Sequence, residues 1–248
     1  MRASSAPVAP QVASDVDLEF VSNGQRHQIP LYRCATVAFE LDCDPVRNFP
    51  SFRGQRNFPG LWWFATTGEH VGHESWLERD QLMLLDASPR VVGVASQPFR
   101  FHWSDGTKHV PDFFARYADG SAVVVDVRLD DQIGPDDARM FAKSEITCGE
   151  IGWEYRRVGS VDPVLLANMR WLSGYRHPRV LRAGIATELI AVFSAARPLL
   201  RGVREVGDPI HVLPVLYHLL WHGRLVADVG TEPLSETTMI AAARVVES

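Results

Sequence analysis

Two aspartates in otherwise apolar, strand-like segments constrain this chain more than any other feature. Asp112 lies in the segment HVPDFFA, residues 109–115, and Asp126 lies in AVVVDVR, residues 122–128. Strand interiors disfavour Asp, and a buried carboxylate without a partner is costly. Each aspartate therefore needs a neutralising group. That group is either a salt-bridge partner for each one or a divalent cation held by both.

Strand geometry makes the cation possible. The turn Asp119-Gly120 is typical of a hairpin, so the two segments are expected to be adjacent antiparallel strands. Such strands can place Asp112 and Asp126 side by side, where like charges repel unless a cation lies between them. Their hard oxygen ligands suit Mg²⁺ or Mn²⁺. Arg128 follows Asp126 by two residues and so points to the same face, towards a phosphate or an attacking water.

A third carboxylate lies near the start of a predicted helix, residues 75–86. Ser75 is expected at the N-cap, and Glu78 three residues later completes an S-x-x-E capping box. Leu77, Leu84 and Leu85 lie near one face at helical spacing. Glu78 is either a capping residue without further function or a third ligand of the metal.

The hydrophobic pattern predicts an α/β fold in which a mixed sheet is flanked by helices. Two Asp-Gly turns are expected to join three consecutive antiparallel strands. A helix and a strand parallel to its predecessor follow, whereas residues 39–58 are expected to be a surface excursion. The predicted strands are residues 99–103, 108–117, 122–127 and 153–158, and the predicted helix is residues 135–148.

Beyond Gly159 the pattern becomes mostly helical. Helices are expected at residues 161–172, 179–193 and 209–222, followed by a stop at Gly223 and a short strand. That order is typical of a winged helix. We therefore expect a disordered tail at residues 1–14, an α/β domain at residues 15–159, and a small winged-helix-like domain at residues 160–248.

The charge is unevenly distributed along the chain. The 248 residues carry a net charge of -5, yet residues 150–204 contain nine Arg, no Lys and four acids, a local balance of +5. This block could contact phosphate, or it could be a solvated helical face.

Cysteine usage and hydropathy indicate a cytoplasmic protein without membrane contact. Cys34, Cys43 and Cys148 show no CxxC spacing, which predicts reduced thiols and argues against a zinc site. The first 14 residues lack the apolar core of a signal peptide, and no apolar run approaches the roughly 18 residues that span a membrane.

The chain from residue 53 to residue 158 resembles the TnsA-type endonuclease subunit of heteromeric transposases, within the PD-(D/E)xK nuclease superfamily. The Pro-Asp, apolar run and Asp-x-Arg pattern has the superfamily's shape, with Arg where Lys is usual. Other segments match more specifically, in particular the S-x-L-E helix and the Gln-Pro turn. The matching segments are GLWW (60–63), HESWLERD (73–80), DASPRV (86–91), QPF (97–99), VPDF (110–113) and VDVR (125–128).

The resemblance implies a restriction-endonuclease-like core and a metal-dependent DNA endonuclease that hydrolyses phosphodiester bonds at transposon ends. It implies that Glu78, Asp112, Asp126 and Arg128 form the nuclease centre with Mg²⁺ or Mn²⁺. The implied partners are double-stranded DNA, a DDE-type transposase subunit and an ATP-dependent regulator protein. A restriction or repair nuclease of the same fold is the close alternative.

Arg128 departs from the family pattern, because Arg is bulkier than Lys and does not lose its proton. Three alternatives follow. Arg128 clamps phosphate itself, Lys143 from the following helix enters the site as a displaced catalytic lysine, or the chain is a weak or inactive nuclease that binds DNA or a partner. An α/β domain without any site is a further alternative.

Overall fold

The computed structural model describes residues 15–47 and 58–243, which fold into an α/β architecture with a mixed sheet and antiparallel sheets. The expected disordered tail lies outside these residues. The chain divides into two compact units. The first comprises Met1–Leu61, Val71–Glu78 and Arg90–Gly159, and the second comprises Trp62–His70, Arg79–Pro89 and Ser160–Ser248. The second unit thus includes two short segments that the sequence analysis placed in the α/β domain.

The described part of the chain up to Val158 alternates strands with short and long helices. The helices are α1 (Phe39–Asp42), α2 (Trp76–Ala87) and α3 (Pro135–Glu150). The strands are β1 (Val16–Ser22), β2 (Gln25–Pro30), β3 (Cys43–Asp44), β4 (Gly60–Trp63), β5 (His70–His73), β6 (Val91–Ser96), β7 (Arg100–Trp103), β8 (Lys108–His109), β9 (Phe113–Tyr117), β10 (Ala122–Val127) and β11 (Glu154–Val158).

Two sheets form the first unit. One is antiparallel, in the order β2-β1-β7-β8, with β3 paired to β1. The other is mixed, in the order β11-β10-β9-β6, and β11 runs parallel to β10 as predicted. β4 and β5 form a separate two-stranded ribbon.

The meander of three consecutive strands is confirmed in its two antiparallel pairings, but its continuous middle strand is wrong. The segment expected as one strand, residues 108–117, is divided between the sheets: β8 pairs with β7, whereas β9 pairs with β10 and β6. Pro111 lies at the break, and proline has no N–H to give to a ladder. Asp112 therefore lies where the chain leaves one sheet and enters the other.

Aromatic rings fill the core of the first unit. Phe39 is fully buried, and its ring lies 4.9 Å from that of Phe99, 5.3 Å from that of Phe114 and 5.8 Å from that of Trp153. The expectation that residues 39–58 are a surface excursion is therefore wrong at its first residue, and residues 48–57 lie outside the described part of the chain.

Helix α2 begins with a variant of the predicted capping box, in which the Glu78 carboxylate accepts the N–H of Glu74 and not that of Ser75. The Glu78 N–H donates to the Ser75 hydroxyl at 3.1 Å, and Glu78 Oε2 accepts the Glu74 N–H at 2.7 Å. Further along, the buried side chains are Leu82, Met83 and two aspartates, Asp80 and Asp86. Charged and polar donors compensate this burial: Arg79 and Arg170 bind Asp80, while the Trp62 indole and the Ala65 N–H donate to Asp86.

The second unit contains further helices and a small sheet of short strands. The sheet order is β12-β14-β13, with both pairings antiparallel. The sequence analysis did not predict α6, β12 or β14. The elements are α4 (Pro163–Ser173), α5 (Ala183–Val192), β12 (Arg197–Pro198), α6 (Leu199–Val206), α7 (Pro209–Trp221), β13 (Leu225–Val226) and β14 (Met239–Ala242).

Within the described residues, no helix combines the length and apolar character that crossing a membrane requires.

Close packing of α6 yields a stability prediction. A Cβ on Gly202 would clash with the ring of Phe193, which is fully buried, whereas a Cβ on Gly184 in α5 would meet no atom within 4 Å. Gly202→Ala should therefore lower the free energy of unfolding by about 1–3 kcal/mol, the usual cost of overpacking. Gly184→Ala, the matched control, should leave it unchanged or raise it by up to about 1 kcal/mol, because Ala favours helix.

Urea denaturation of both variants measures the difference. Equal midpoints for Gly202→Ala and Gly184→Ala would contradict the close packing of α6 against Phe193.

Candidate functional site

Three carboxylates and a guanidinium predicted from the sequence line one cavity of about 250 Å³ in the first unit. They are Glu78 in the first turn of α2, Asp112 just before β9, Asp126 near the end of β10, and Arg128 just beyond it. The cavity wall also contains Arg47, Glu74, His109 and Asp137.

Asp126 is buried and well compensated. Only 3% of its surface is exposed, and His109 Nε2 lies 2.9 and 2.8 Å from its two carboxylate oxygens. The Tyr155 hydroxyl donates to Oδ2 at 2.6 Å. Burial, and then the charge of Asp126, raise the pKa of Tyr155, so that this hydroxyl remains a donor. β8 and β11 thus both contribute a side chain to the carboxylate on β10.

Asp112 is held in place but poorly compensated. Its N–H donates to Val125 O at 3.1 Å and its carbonyl accepts the Gln97 N–H at 2.8 Å, so neighbouring strands fix its main chain on both sides. Its carboxylate accepts the Val127 N–H at 2.7 Å. Burial, and then the charges of Glu78 and Asp126, raise the pKa of Asp112 well above its ordinary value. A cation at this position would relieve that repulsion.

Glu78 fulfils its structural role completely. Oε2 accepts the Glu74 N–H at 2.7 Å and Oε1 accepts the Ser75 hydroxyl at 2.9 Å. Burial raises the pKa of Glu78, and these two hydrogen bonds oppose the rise. The carboxylate nevertheless faces the same cavity as Asp112, so the capping role does not exclude a second one.

The two candidate catalytic cations lie in different places. Arg128 lines the cavity with its side chain 47% exposed, and its Nη2 lies 3.6 Å from Asp137 Oδ2. Lys143 does not line this cavity. Its Nζ donates to Asp105 Oδ2 at 2.5 Å and to Thr107 Oγ1 at 2.6 Å, and these residues border a separate cavity. The structure therefore does not bring Lys143 to the carboxylates.

Sequence reasoning missed five polar cavity or near-cavity residues: Arg47, Glu74, His109, Asp137 and Tyr155. Signals for two of them existed, because His109 shortly precedes Asp112 and because the predicted parallel pairing of β10 with β11 brings Tyr155 near Asp126. Arg47 had no local signal. It lies 27 residues before Glu74 in the sequence, yet its Nη2 lies 3.0 Å from Glu74 Oε2.

The carboxylates of the cavity are the type of ligand that a hard divalent cation prefers. The three of them do not, however, lie close enough together to bind one metal ion jointly. Among residues 15–47 and 58–243, no group of three His, Cys, Asp or Glu side chains stands close enough to hold a metal ion. Magnesium, however, is usually bound by one or two carboxylates together with water and substrate phosphates. Asp112 and Asp126 would be that pair, and Glu78 lies in the same cavity wall.

The strain on Asp112 predicts a stabilising substitution. Asp112→Asn removes a charge that burial disfavours and keeps an oxygen for the Val127 N–H, so the free energy of unfolding at pH 7 should rise by on the order of 1 kcal/mol. Because the pKa of Asp112 is higher in the folded protein than in the unfolded chain, the wild-type protein loses stability as the pH rises above about 4, the ordinary pKa of Asp. The gap between variant and wild type should therefore grow from that pH upward.

Thermal melting between pH 4 and pH 8 measures this gap. Asp119→Asn is the matched control, because the Ser121 hydroxyl and N–H lower the pKa of Asp119, so losing that charge should slightly destabilise the protein. An Asp112→Asn variant that melts below wild type at pH 8 would contradict the prediction.

The chain was compared with known proteins. No protein-family model matches it, and no curated protein matches it. The resemblance to TnsA-type endonuclease subunits therefore rests on the motifs between Gly60 and Arg128.

Proposed function

We propose that this chain is a metal-dependent DNA endonuclease that acts as a subunit of a heteromeric transposase. The observation that carries the proposal is the cavity of the first unit, where Glu78, Asp112, Asp126 and Arg128 meet. These four residues come from three separate segments of the chain and include both aspartates that interrupt apolar strands. A purely structural role would have paired each aspartate separately, whereas Asp112 remains poorly compensated.

Phosphodiester hydrolysis needs a positioned water, a bound phosphate and compensation of developing negative charge. Asp112 and Asp126 would hold Mg²⁺ or Mn²⁺, which lowers the pKa of a bound water and offsets phosphate charge. Arg128, at the exposed side of the cavity, would hold a phosphate oxygen by charge-assisted hydrogen bonds. His109 and Tyr155 keep the Asp126 carboxylate in a fixed orientation.

The folds of both units support this proposal. In the first, the first turn of α2 is followed, after β6, β7 and β8, by the antiparallel pair β9–β10, then by α3 and the parallel β11, an order expected for a restriction-endonuclease-like core. In the second, the order α5, β12, α6, α7, β13, β14 and the sheet order β12-β14-β13 agree with a winged helix. Winged helices belong to the helix-turn-helix type of fold, which places a helix in the major groove of DNA.

The arginine-rich block supports DNA contact at a narrower place than the sequence suggested. Most of its arginines form ion pairs with carboxylates: Arg156, Arg157, Arg170, Arg176, Arg197 and Arg201. By contrast, Arg179 and Arg182 form no ion pair with a described residue. They border a groove with His211 of α7. Unpaired guanidinium groups beside a helix are suited to phosphate.

The partners would be double-stranded DNA at transposon ends, a DDE-type transposase subunit and an ATP-dependent regulator, as the family resemblance implies. A second candidate is a weak or inactive subunit that binds DNA or a partner. The distance of Lys143 from the carboxylates and the half-exposed state of Arg128 favour it. A restriction or repair nuclease would use the same site on other DNA.

Measurements of metal binding and of DNA cleavage test the proposed endonuclease activity. Mn²⁺ or Mg²⁺ at a hundred times its Kd should stabilise the wild type by about 2.7 kcal/mol, because a ligand of the folded state shifts the unfolding equilibrium. Asp112→Asn should lose that stabilisation. With the partner proteins and Mn²⁺ supplied, wild type should cleave DNA that carries transposon ends, Asp112→Ala should be inactive, and Arg128→Ala should be slower by about 100–1,000-fold.

Lys143→Ala is the matched control and should cleave at the wild-type rate, because Lys143 is paired with Asp105 in a separate cavity. Equal inactivity of wild type and Asp112→Ala under these conditions would leave the binding subunit as the function.

The salt dependence of DNA affinity tests whether the groove beside Arg179 and Arg182 contacts DNA. The double variant Arg179→Ala/Arg182→Ala should reduce the slope of log Kd against log salt by about 1.8, since each neutralised phosphate contributes about 0.9. Arg201→Ala is the control, because its guanidinium is paired with Glu205. Fluorescence anisotropy of a labelled duplex at several salt concentrations measures the slope, and an unchanged slope in the double variant would rule the groove out.

A further inference from the structure

Besides Arg128, a second guanidinium lies in the wall of the carboxylate cavity. Arg47 lies 13 residues before the first of the motifs, GLWW (60–63), and its Nη2 lies 3.0 Å from Glu74 Oε2. Glu74 in turn donates its N–H to Glu78 Oε2 at 2.7 Å. Arg47 is thus connected through one residue to the carboxylate at the start of α2.

Glu74 is an unusual anchor for a surface arginine. The residue is 7% exposed, and its second oxygen, Oε1, is buried without a hydrogen-bond partner among the described residues. A buried carboxylate oxygen without a donor is costly. A simple surface ion pair would not need this burial, because such pairs are worth little even when they form. Glu74 thus holds the Arg47 guanidinium at the edge of the cavity, and its second oxygen can accept a hydrogen bond from a further donor.

Arg47 retains the capacity to bind an anion. Its side chain is 44% exposed, and one of its nitrogens bonds Glu74. The remaining N–H groups of a guanidinium match two oxygens of a phosphate in a planar, bidentate geometry. Arg47 also opposes the raised pKa of Asp112 and of Glu78, which agrees with a position of its charge close to both.

We propose that Arg47, held by Glu74, is a phosphate-binding residue of the carboxylate cavity. This inference rests on the proposed nuclease function and assigns the phosphate of the DNA backbone as the ligand. Glu74 is a positioning residue, which fixes the guanidinium without touching the substrate. Together with Arg128, which lines the same cavity, Arg47 gives the cavity a second cation, in place of the lysine that the family motif would supply.

Salt-dependent DNA binding tests the assignment. The probe is a fluorescein-labelled duplex of about 30 base pairs in Ca²⁺, measured by anisotropy at several salt concentrations. Arg47→Gln should weaken binding by about tenfold, as for a lost charged hydrogen bond, and reduce the salt slope by about 0.9. Arg47→Lys should keep the slope, since the charge remains, and bind with intermediate affinity. Glu74→Gln should also keep the slope.

Arg139→Ala is the matched control, because Arg139 is exposed, pairs with Asp136 on its own helix and borders a different cavity. Thermal melting of every variant separates lost folding from lost binding, and Arg47→Lys keeps the comparison valid if the neutral variant is unstable. An Arg47→Gln slope equal to that of Arg139→Ala overturns the assignment.

Cleavage by wild type separates this result from the nuclease proposal. If wild type cleaves and Arg47→Gln retains both rate and slope, the Arg47 assignment alone fails. If wild type neither binds the duplex nor cleaves DNA with Mn²⁺ and its partners, both proposals fail together.

Discussion

The burial of Asp126 is the constraint on which the arrangement of the first unit depends. A buried carboxylate in an apolar strand is tolerated only when donors reach it, and here His109 of β8 and Tyr155 of β11 contact it. Three strands from two sheets are thereby tied to a single charge. Asp112, one strand away, receives a single backbone N–H and the repulsion of its neighbours. The fold therefore stabilises one aspartate and leaves the other strained, as functional sites commonly do.

Local signals predicted much of the secondary structure. The capping box at Ser75 and Glu78, the Asp119-Gly120 turn and the parallel return to β11 all depend on residues close in sequence, so their patterns could be recognised directly. Glu78 was found through the S-x-x-E pattern and Arg128 through its spacing of two residues from Asp126, but Asp112 and Asp126 were found for a different reason. Acids in apolar strands conflict with local preference, and such conflicts concentrate at sites.

Features set by distant contacts could not be predicted in the same way. Phe39 occupies the centre of the aromatic core although its neighbours in sequence show no periodicity, because its partners come from β9 and from the residues just before β7 and β11. Arg47 meets Glu74 only after the chain has folded. The break at Pro111 was visible as a proline, but the Asp-Gly turns before and after residues 108–117 indicated one strand between them.

The division of β8 from β9 limits how the chain can vary in length. His109 and Asp112 lie on opposite sides of Pro111, and each has a partner in a fixed register, His109 with Asp126 and Asp112 with the main chain of Val125. An inserted or deleted residue between them would shift one partner past its carboxylate or carbonyl. The exposed turns at Asp105-Gly106 and Asp119-Gly120 are not fixed by partners on both sides in this way, so insertions and deletions can be tolerated there. The spacing of three residues between His109 and Asp112 must be kept.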